Sequence, residues 1–83
     1  MIRFVRPVYP KEAKRQHIQG IVKLRAVVGV RGELRNLEVL EGDPVFLPAA
    51  LRAVKKWRYL PCLLNGDAVE LKTYIEVPFT LTQ

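Results

Sequence analysis

From Ile21 onward the hydrophobic positions fall into a period of two. Val22, Leu24, Ala26, Val28 and Val30 alternate with Lys23, Arg25, Val27 and Gly29, which marks a half-buried strand. Val30-Arg31-Gly32-Glu33 is a tight connection, and Leu37 and Val39 resume the inward alternation as a second, hairpin-paired strand. Leu34 is out of phase with Leu37, so a bulge or a late strand start is expected. A second period-two run follows the Asn65-Gly66-Asp67 turn signal. Val69, Leu71, Thr73, Ile75, Val77, Phe79 and Leu81 share one side, against Glu70, Lys72, Tyr74, Glu76, Pro78 and Thr80 on the other. This is the third and longest strand.

Two stretches read as helices. Pro10 suits a first helical position, and Lys11 to Ile18 supply about two turns before Gly20 stops them. Behind Pro48, the residues Leu47, Ala50, Leu51, Val54 and Trp57 form one apolar stripe with Arg52, Lys55, Lys56 and Arg58 opposite, and Pro61 closes the helix. Pro7 and Pro10 hold the residues before them extended, so residues 1–8 read as an N-terminal extension and 9–83 as the domain. The order α-β-β-α-β gives an α+β domain: a three-stranded antiparallel sheet with two helices on one face.

The third strand has two possible neighbours, and antiparallel pairing beside the first strand, in order 2-1-3, is favoured after a long crossover. It is then an edge. Pro78 agrees, because a proline inside a strand is confined to edges and bulges. If its nitrogen faces solvent, strand parity makes Lys72, Tyr74 and Glu76 present their backbone groups to solvent as well. Such an edge either recruits another strand or is kept solitary by Lys72, Glu76 and Pro78.

At 83 residues and 9.5 kDa the chain has room for one small core. No apolar run approaches the roughly 20 residues a membrane-crossing helix needs, and the N-terminus lacks the apolar region of a signal peptide. No direct membrane insertion is expected. The net charge of +6 sits in the first 25 residues, where seven bases face Glu12 alone, and this basic arm points to an acidic partner. A solvated face that aids solubility is the plainer alternative.

Catalytic chemistry finds little support. The chain contains no serine, one histidine and one cysteine, which excludes a Ser-His-Asp site and speaks against zinc. His17 reads as a partly exposed helix residue and Cys62 as a small buried hydrophobe. The glycines are scattered and match no phosphate-binding loop. No enzyme activity, metal or cofactor is expected. A small basic nucleic-acid-binding domain is the competing class, but Phe46, Trp57 and Phe79 fit core positions and only Tyr74 faces outward from the strands.

Tyr9-Pro10, Ala13, Ile18, Gly20 and Val22, then Gly32, Ala50, Ala53, Trp57-Arg58-Tyr59, Pro61, Val77 and Phe79 together resemble the TonB C-terminal domain family across residues 9 to 81. The resemblance implies a non-catalytic periplasmic module of an energy transducer. Its last strand would receive the Ton box of an outer-membrane transporter by strand addition. A transmembrane helix coupled to ExbB-ExbD and a proline-rich linker are expected in the parent protein, anchored in the inner membrane, so the chain looks like an excised domain. Carried over by position, partner contacts fall at Lys72, Thr73, Tyr74, Ile75, Glu76 and Val77. Contacts with the transporter plug fall near Tyr9, Pro10, Lys11, Lys14 and Arg15. The position after Lys11 is Glu12, where the best-known member carries a base, which leaves a specific plug salt bridge open. A TolA-like envelope domain is the nearest alternative, and a strand-exchanged homodimer is a further possibility.

Overall fold

A computed structural model describes residues 2–81. The elements run α1 (Lys11–Arg15), β1 (Gly20–Val28), β2 (Leu34–Glu41), α2 (Leu47–Val54), β3 (Cys62–Leu64), β4 (Asp67–Val69) and β5 (Leu71–Phe79). The main sheet is antiparallel with strand order β2-β1-β5, so the expected third strand is β5 and it is an edge. Among the described residues no helix is long and apolar enough to cross a membrane.

One face of the sheet carries the core. Val22, Leu24 and Ala26 of β1 and Ile75, Val77 and Phe79 of β5 pack with Ala13, Phe46, Ala50, Val54 and Trp57 in a single buried cluster. Phe46 and Phe79 stack at 4.4 Å, and Tyr9 meets both edge-on at 5.7 Å. These aromatic contacts add geometry to the burial that period two already dictates.

Both helices are shorter than their apolar spacing predicts. α1 stops at Arg15 because His17 turns left-handed (φ 56°), and Ile18 N–H then donates back to the Ala13 carbonyl at 2.9 Å. α2 stops at Val54. There the N–H groups of Lys56 and Trp57 bond three residues back, at 3.0 Å each, tightening the exit. The tighter turn brings Trp57 into the core and lets Arg58 pair with Arg3.

The β3-β4 hairpin is an addition to the expected three strands. Asn65 and Gly66 both have positive φ (53° and 87°), the geometry a two-residue hairpin turn needs, and Leu64 faces Asp67 across it. Leu63 and Leu64 remain exposed, and Cys62, expected to be buried, is only half-buried. The short strand escapes notice in the sequence because Cys62-Leu63-Leu64 has no alternation.

The irregularity at Leu34 is a pair of register shifts in β2. Lys23 faces Glu41 but Leu24 faces Val39, and Arg25 faces Glu38 but Val27 faces Arg35. Asn36, with φ 54°, lies in the second bulge. Val39 faces Leu24 and so keeps the inward side, as expected, although it is 38% exposed, while Leu34 and Leu37 keep partial contact with the core.

Candidate functional site

β5 pairs with β1 over nine residues without a shift, from Gly20 with Phe79 to Val28 with Leu71. Which backbone groups of β5 are used follows from parity. Gly29 N–H donates to the Glu33 carbonyl at 2.8 Å, so odd-numbered residues at this end of β1 face β2 and even-numbered ones face β5. Val22 with Val77, Leu24 with Ile75 and Ala26 with Thr73 are therefore the hydrogen-bonded pairs. Ile21 with Pro78 is not one, which is why a proline is tolerated there. Lys72, Tyr74 and Glu76 direct their N–H and C=O groups away from β1.

The two edges of the sheet differ. β2 is bulged twice, which bends and twists its edge, and such distortion discourages pairing. β5 is straight in register and offers free backbone groups at alternate residues until Pro78 removes a donor.

A groove of ≈ 440 Å³ runs beside this edge, between Phe4, Arg6, Pro7 and Tyr9 on one side and Glu76 to Thr80 on the other, with Trp57 in its lining. The N-terminal segment that forms this wall is held at several points. Ile2 and Arg3 N–H donate to the Arg58 carbonyl (2.8 and 3.0 Å), and Trp57 Nε1–H donates to the Val5 carbonyl (2.8 Å). The Phe4 ring lies 4.9 Å from that of Trp57. No sheet pairing joins this wall to β5.

The residues expected to bind partners divide into three groups. Lys72, Tyr74 and Glu76 are exposed on the open face of β5, with Tyr74 72% exposed, while Ile75 and Val77 are core residues and Thr73 is half-buried. Ile75 and Val77 can shape the edge but cannot touch a partner through their side chains. Tyr9 is half-buried, lines the groove, and donates its hydroxyl to the Ile18 carbonyl. Pro10 is half-buried at the start of α1. Lys11, Lys14 and Arg15 are exposed on α1 and none of them lines the groove; Arg15 pairs with Glu12 at 3.4 Å. Phe4, Arg6 and Pro7 were not anticipated. The apolar Phe4 among arginines, just before two prolines, is the signal that could have found them.

Electrostatics separates β5 from its neighbours. On the open face Lys23 pairs with Glu41, Arg25 with Glu38, and Arg35 with Glu33 and Glu70. Hydrogen bonding and charge from Glu38 raise the Arg25 pKa above its ordinary value. These solvent-screened pairs contribute little stability but leave the β1-β2 half neutral. Lys72 and Glu76 have no ion-pair partner among the described residues.

Comparison with known proteins agrees with this architecture. Residues 5–81 match the family model described as Gram-negative bacterial TonB protein C-terminal. Protein TonB of Vibrio cholerae serotype O1 is 29% identical over 79 residues, covering 93% of this chain and 32% of that protein. Protein TonB of Pseudomonas aeruginosa is 33% identical over 70 residues, covering 82% of this chain and 20% of that protein. The chain thus spans about a third or less of the length of these relatives. The solution NMR structure of the Pseudomonas aeruginosa TonB C-terminal domain superposes with a TM-score of 0.83 at 28% identity, covering 99% of this chain and 85% of that one. A structure of the TonB2 protein from Vibrio anguillarum gives 0.72 at 30% identity, covering 100% and 80%. With a family model matched along nearly its whole length and the same fold in solved relatives, the chain belongs to the TonB C-terminal family of Gram-negative bacteria.

Proposed function

We propose that the domain is a non-catalytic periplasmic binding module that captures the Ton box of an outer-membrane transporter as an added strand on β5. The observation that carries this reading is the regular, unpaired edge at Lys72, Tyr74 and Glu76, ended by Pro78 and flanked by a groove. Backbone hydrogen bonds would supply most of the attachment, so the guest's sequence matters only where its side chains fall against the Phe4–Pro7 wall. Lys11, Lys14 and Arg15, with Pro10, form a separate exposed basic surface on and beside α1 that would meet the transporter plug. In the parent protein, the part preceding this domain would anchor it in the inner membrane and couple it to ExbB-ExbD.

A strand held edge-on by several backbone bonds resists a pull while tolerating varied side chains, which suits a module that transmits force. The test is calorimetric titration with a Ton-box peptide and a series of its analogues, each N-methylated at one backbone amide. Strand addition requires affinity to fall roughly tenfold or more at every second amide and to stay unchanged between them, as each lost bond costs about 1 to 2 kcal/mol. A uniform effect along the peptide, or none, would overturn the proposal.

A further inference from the structure

Four large aliphatic side chains meet water at one end of the molecule. Ile2, Leu60, Leu63 and Leu64 are each 62 to 68% exposed, and main-chain bonds gather the segments that carry them. Arg3 bridges to Arg58 just after α2, and Tyr59 N–H donates to the Gly32 carbonyl at 2.9 Å, which holds the β1-β2 turn against the chain leading to Leu60. β3 begins two residues further on. An exposed leucine standing singly on a surface is ordinary, but four aliphatics converging on one end mark a contact site.

The shape of this end is convex. β3 and β4 pair only with each other, as a two-stranded ribbon separate from the main sheet. At its turn a Cβ on Gly66 would meet nothing within 4 Å, so the turn stands in open space. Neither the ≈ 440 Å³ groove nor the ≈ 90 Å³ pocket between Val5 and α2 is lined by any of the four aliphatics. Protein partners are gripped mainly through Trp, Tyr and Arg seated in recesses, with leucine under-represented. Aliphatics on a projecting ribbon suit a soft, flat surface instead.

Charge selects the kind of surface. Arg3, Arg31, Lys55 and Arg58 are exposed at the same end, and none of them forms an ion pair among the described residues. The Arg58 guanidinium donates to the carbonyls of Lys55 and Trp57 at 3.3 and 2.8 Å, which sets its charge at the exit of α2. Of the neighbouring acids, Glu33 and Glu70 engage Arg35, which leaves Asp67 as the carboxylate here without an ion pair among the described residues. We infer that this end of the domain docks on an anionic phospholipid bilayer, with Leu63 and Leu64 at headgroup level and the four bases over the lipid phosphates. Apolar burial and attraction to anionic lipid reinforce each other in such a contact, where either alone holds weakly. The contact is peripheral, since no described helix can cross a membrane. It lies toward the Leu71 end of β5, away from Pro78, and leaves the open edge of that strand unoccupied.

Flotation of the 83-residue chain with vesicles of phosphatidylglycerol and phosphatidylcholine in equal parts, against vesicles of phosphatidylcholine alone, tests the inference. The expected result is binding to the anionic vesicles that weakens with added salt, and at least tenfold weaker binding to the neutral ones. The double variant Leu63→Asn with Leu64→Asn should bind at least tenfold more weakly, and so should Arg3→Glu with Arg31→Glu. Asp67→Asn should bind roughly fivefold more tightly, because it removes a repelled charge. Leu40→Asn, which changes an exposed leucine of β2 outside this surface, should bind as wild type, and circular dichroism melts confirm that each variant is folded. Absence of binding to the anionic vesicles, equal binding to the neutral ones, or folded leucine variants that bind as wild type would overturn the inference. Retention on immobilised poly-glutamate without vesicle binding would assign the surface to an acidic protein and overturn it equally. Ton-box peptide capture by the same samples is a separate readout: its loss or persistence leaves the bilayer contact to be judged on the vesicles.

Discussion

Trp57 Nε1–H donates a 2.8 Å hydrogen bond to the carbonyl of Val5, fifty-two residues earlier in the chain, and so ties the groove wall to the core. The indole is 4% exposed and meets the Phe4 ring at a tilt of 41°, so it serves packing and wall position together. Trp57→Ala should cost about 3 to 5 kcal/mol of stability. Trp57→Phe should cost less, about 1 to 2 kcal/mol, by leaving the Val5 carbonyl without its donor. Urea unfolding measures both. In the Phe variant, ¹⁵N relaxation should report faster motion of residues 4–7 with β5 unchanged.

Gly32 and Gly66 separate two reasons for needing glycine. Both have positive φ (81° and 87°), but a Cβ on Gly32 would sit 1.9 Å from the Tyr59 carbonyl oxygen, whereas one on Gly66 meets nothing within 4 Å. Tyr59 N–H also donates to the Gly32 carbonyl at 2.9 Å, so the two strands of chain cannot part without loss. Gly66→Ala should cost only the left-handed penalty of about 1 to 2 kcal/mol. Gly32→Ala should exceed it by a further 1 kcal/mol or more, roughly the loss of that bond. Equal destabilisation in thermal or urea unfolding would contradict the close approach.

Parity along β5 predicts opposite outcomes for prolines one residue apart. Tyr74→Pro removes a donor that faces the open edge, so it should leave stability within about 1 kcal/mol of wild type while abolishing strand addition. Ile75→Pro removes a donor to Leu24 and a core side chain, and should cost roughly 3 kcal/mol or more. Circular dichroism melts of the two variants check the contrast.

A modest pH dependence is expected from the β1-β2 turn. The Glu33 carboxylate accepts from its own backbone N–H and from Arg31 N–H, the latter at 3.1 Å, and the nearby charges of Arg35 and Arg31 act in the same direction. Its pKa lies below the ordinary 4.5, so the folded state binds this proton less tightly than the unfolded chain. The associated stability is complete above about pH 4.5 and is lost as pH falls through the lowered value. Glu33→Gln should narrow its gap from wild type as the pH is taken below 4.5; a gap that widens there would contradict the assignment.

Much of this architecture is written in local pattern. The alternation in Val22–Val28 and Thr73–Phe79 gives two strands and their buried faces, and Pro78 alone argues for the edge position of the last one. The limits are equally physical. Helix spacing cannot foresee that tertiary pull on Trp57 and Arg58 tightens the end of α2, or that His17 adopts a left-handed turn. Period two could not foresee the two bulges of β2, because they depend on its register with a partner strand. The groove wall was hidden because Phe4, Arg6 and Pro7 acquire a role only through bonds to Trp57 and Arg58, more than fifty residues away. The basic residues Lys11, Lys14 and Arg15, which the resemblance assigns to a plug contact, lie exposed on α1 apart from the groove.

Hydrogen exchange at single amides along β5 tests the central claim most directly. In dilute free protein, Thr73, Ile75 and Val77 should already be protected by β1, while Lys72, Tyr74 and Glu76 exchange near the rate of an open chain. Saturating Ton-box peptide should slow those three by at least tenfold, a rise of about 1.4 kcal/mol in the free energy of opening for each. Protection of Lys72, Tyr74 and Glu76 in the dilute free monomer, or exchange there that bound peptide leaves unaltered, would mean that β5 is not the docking edge.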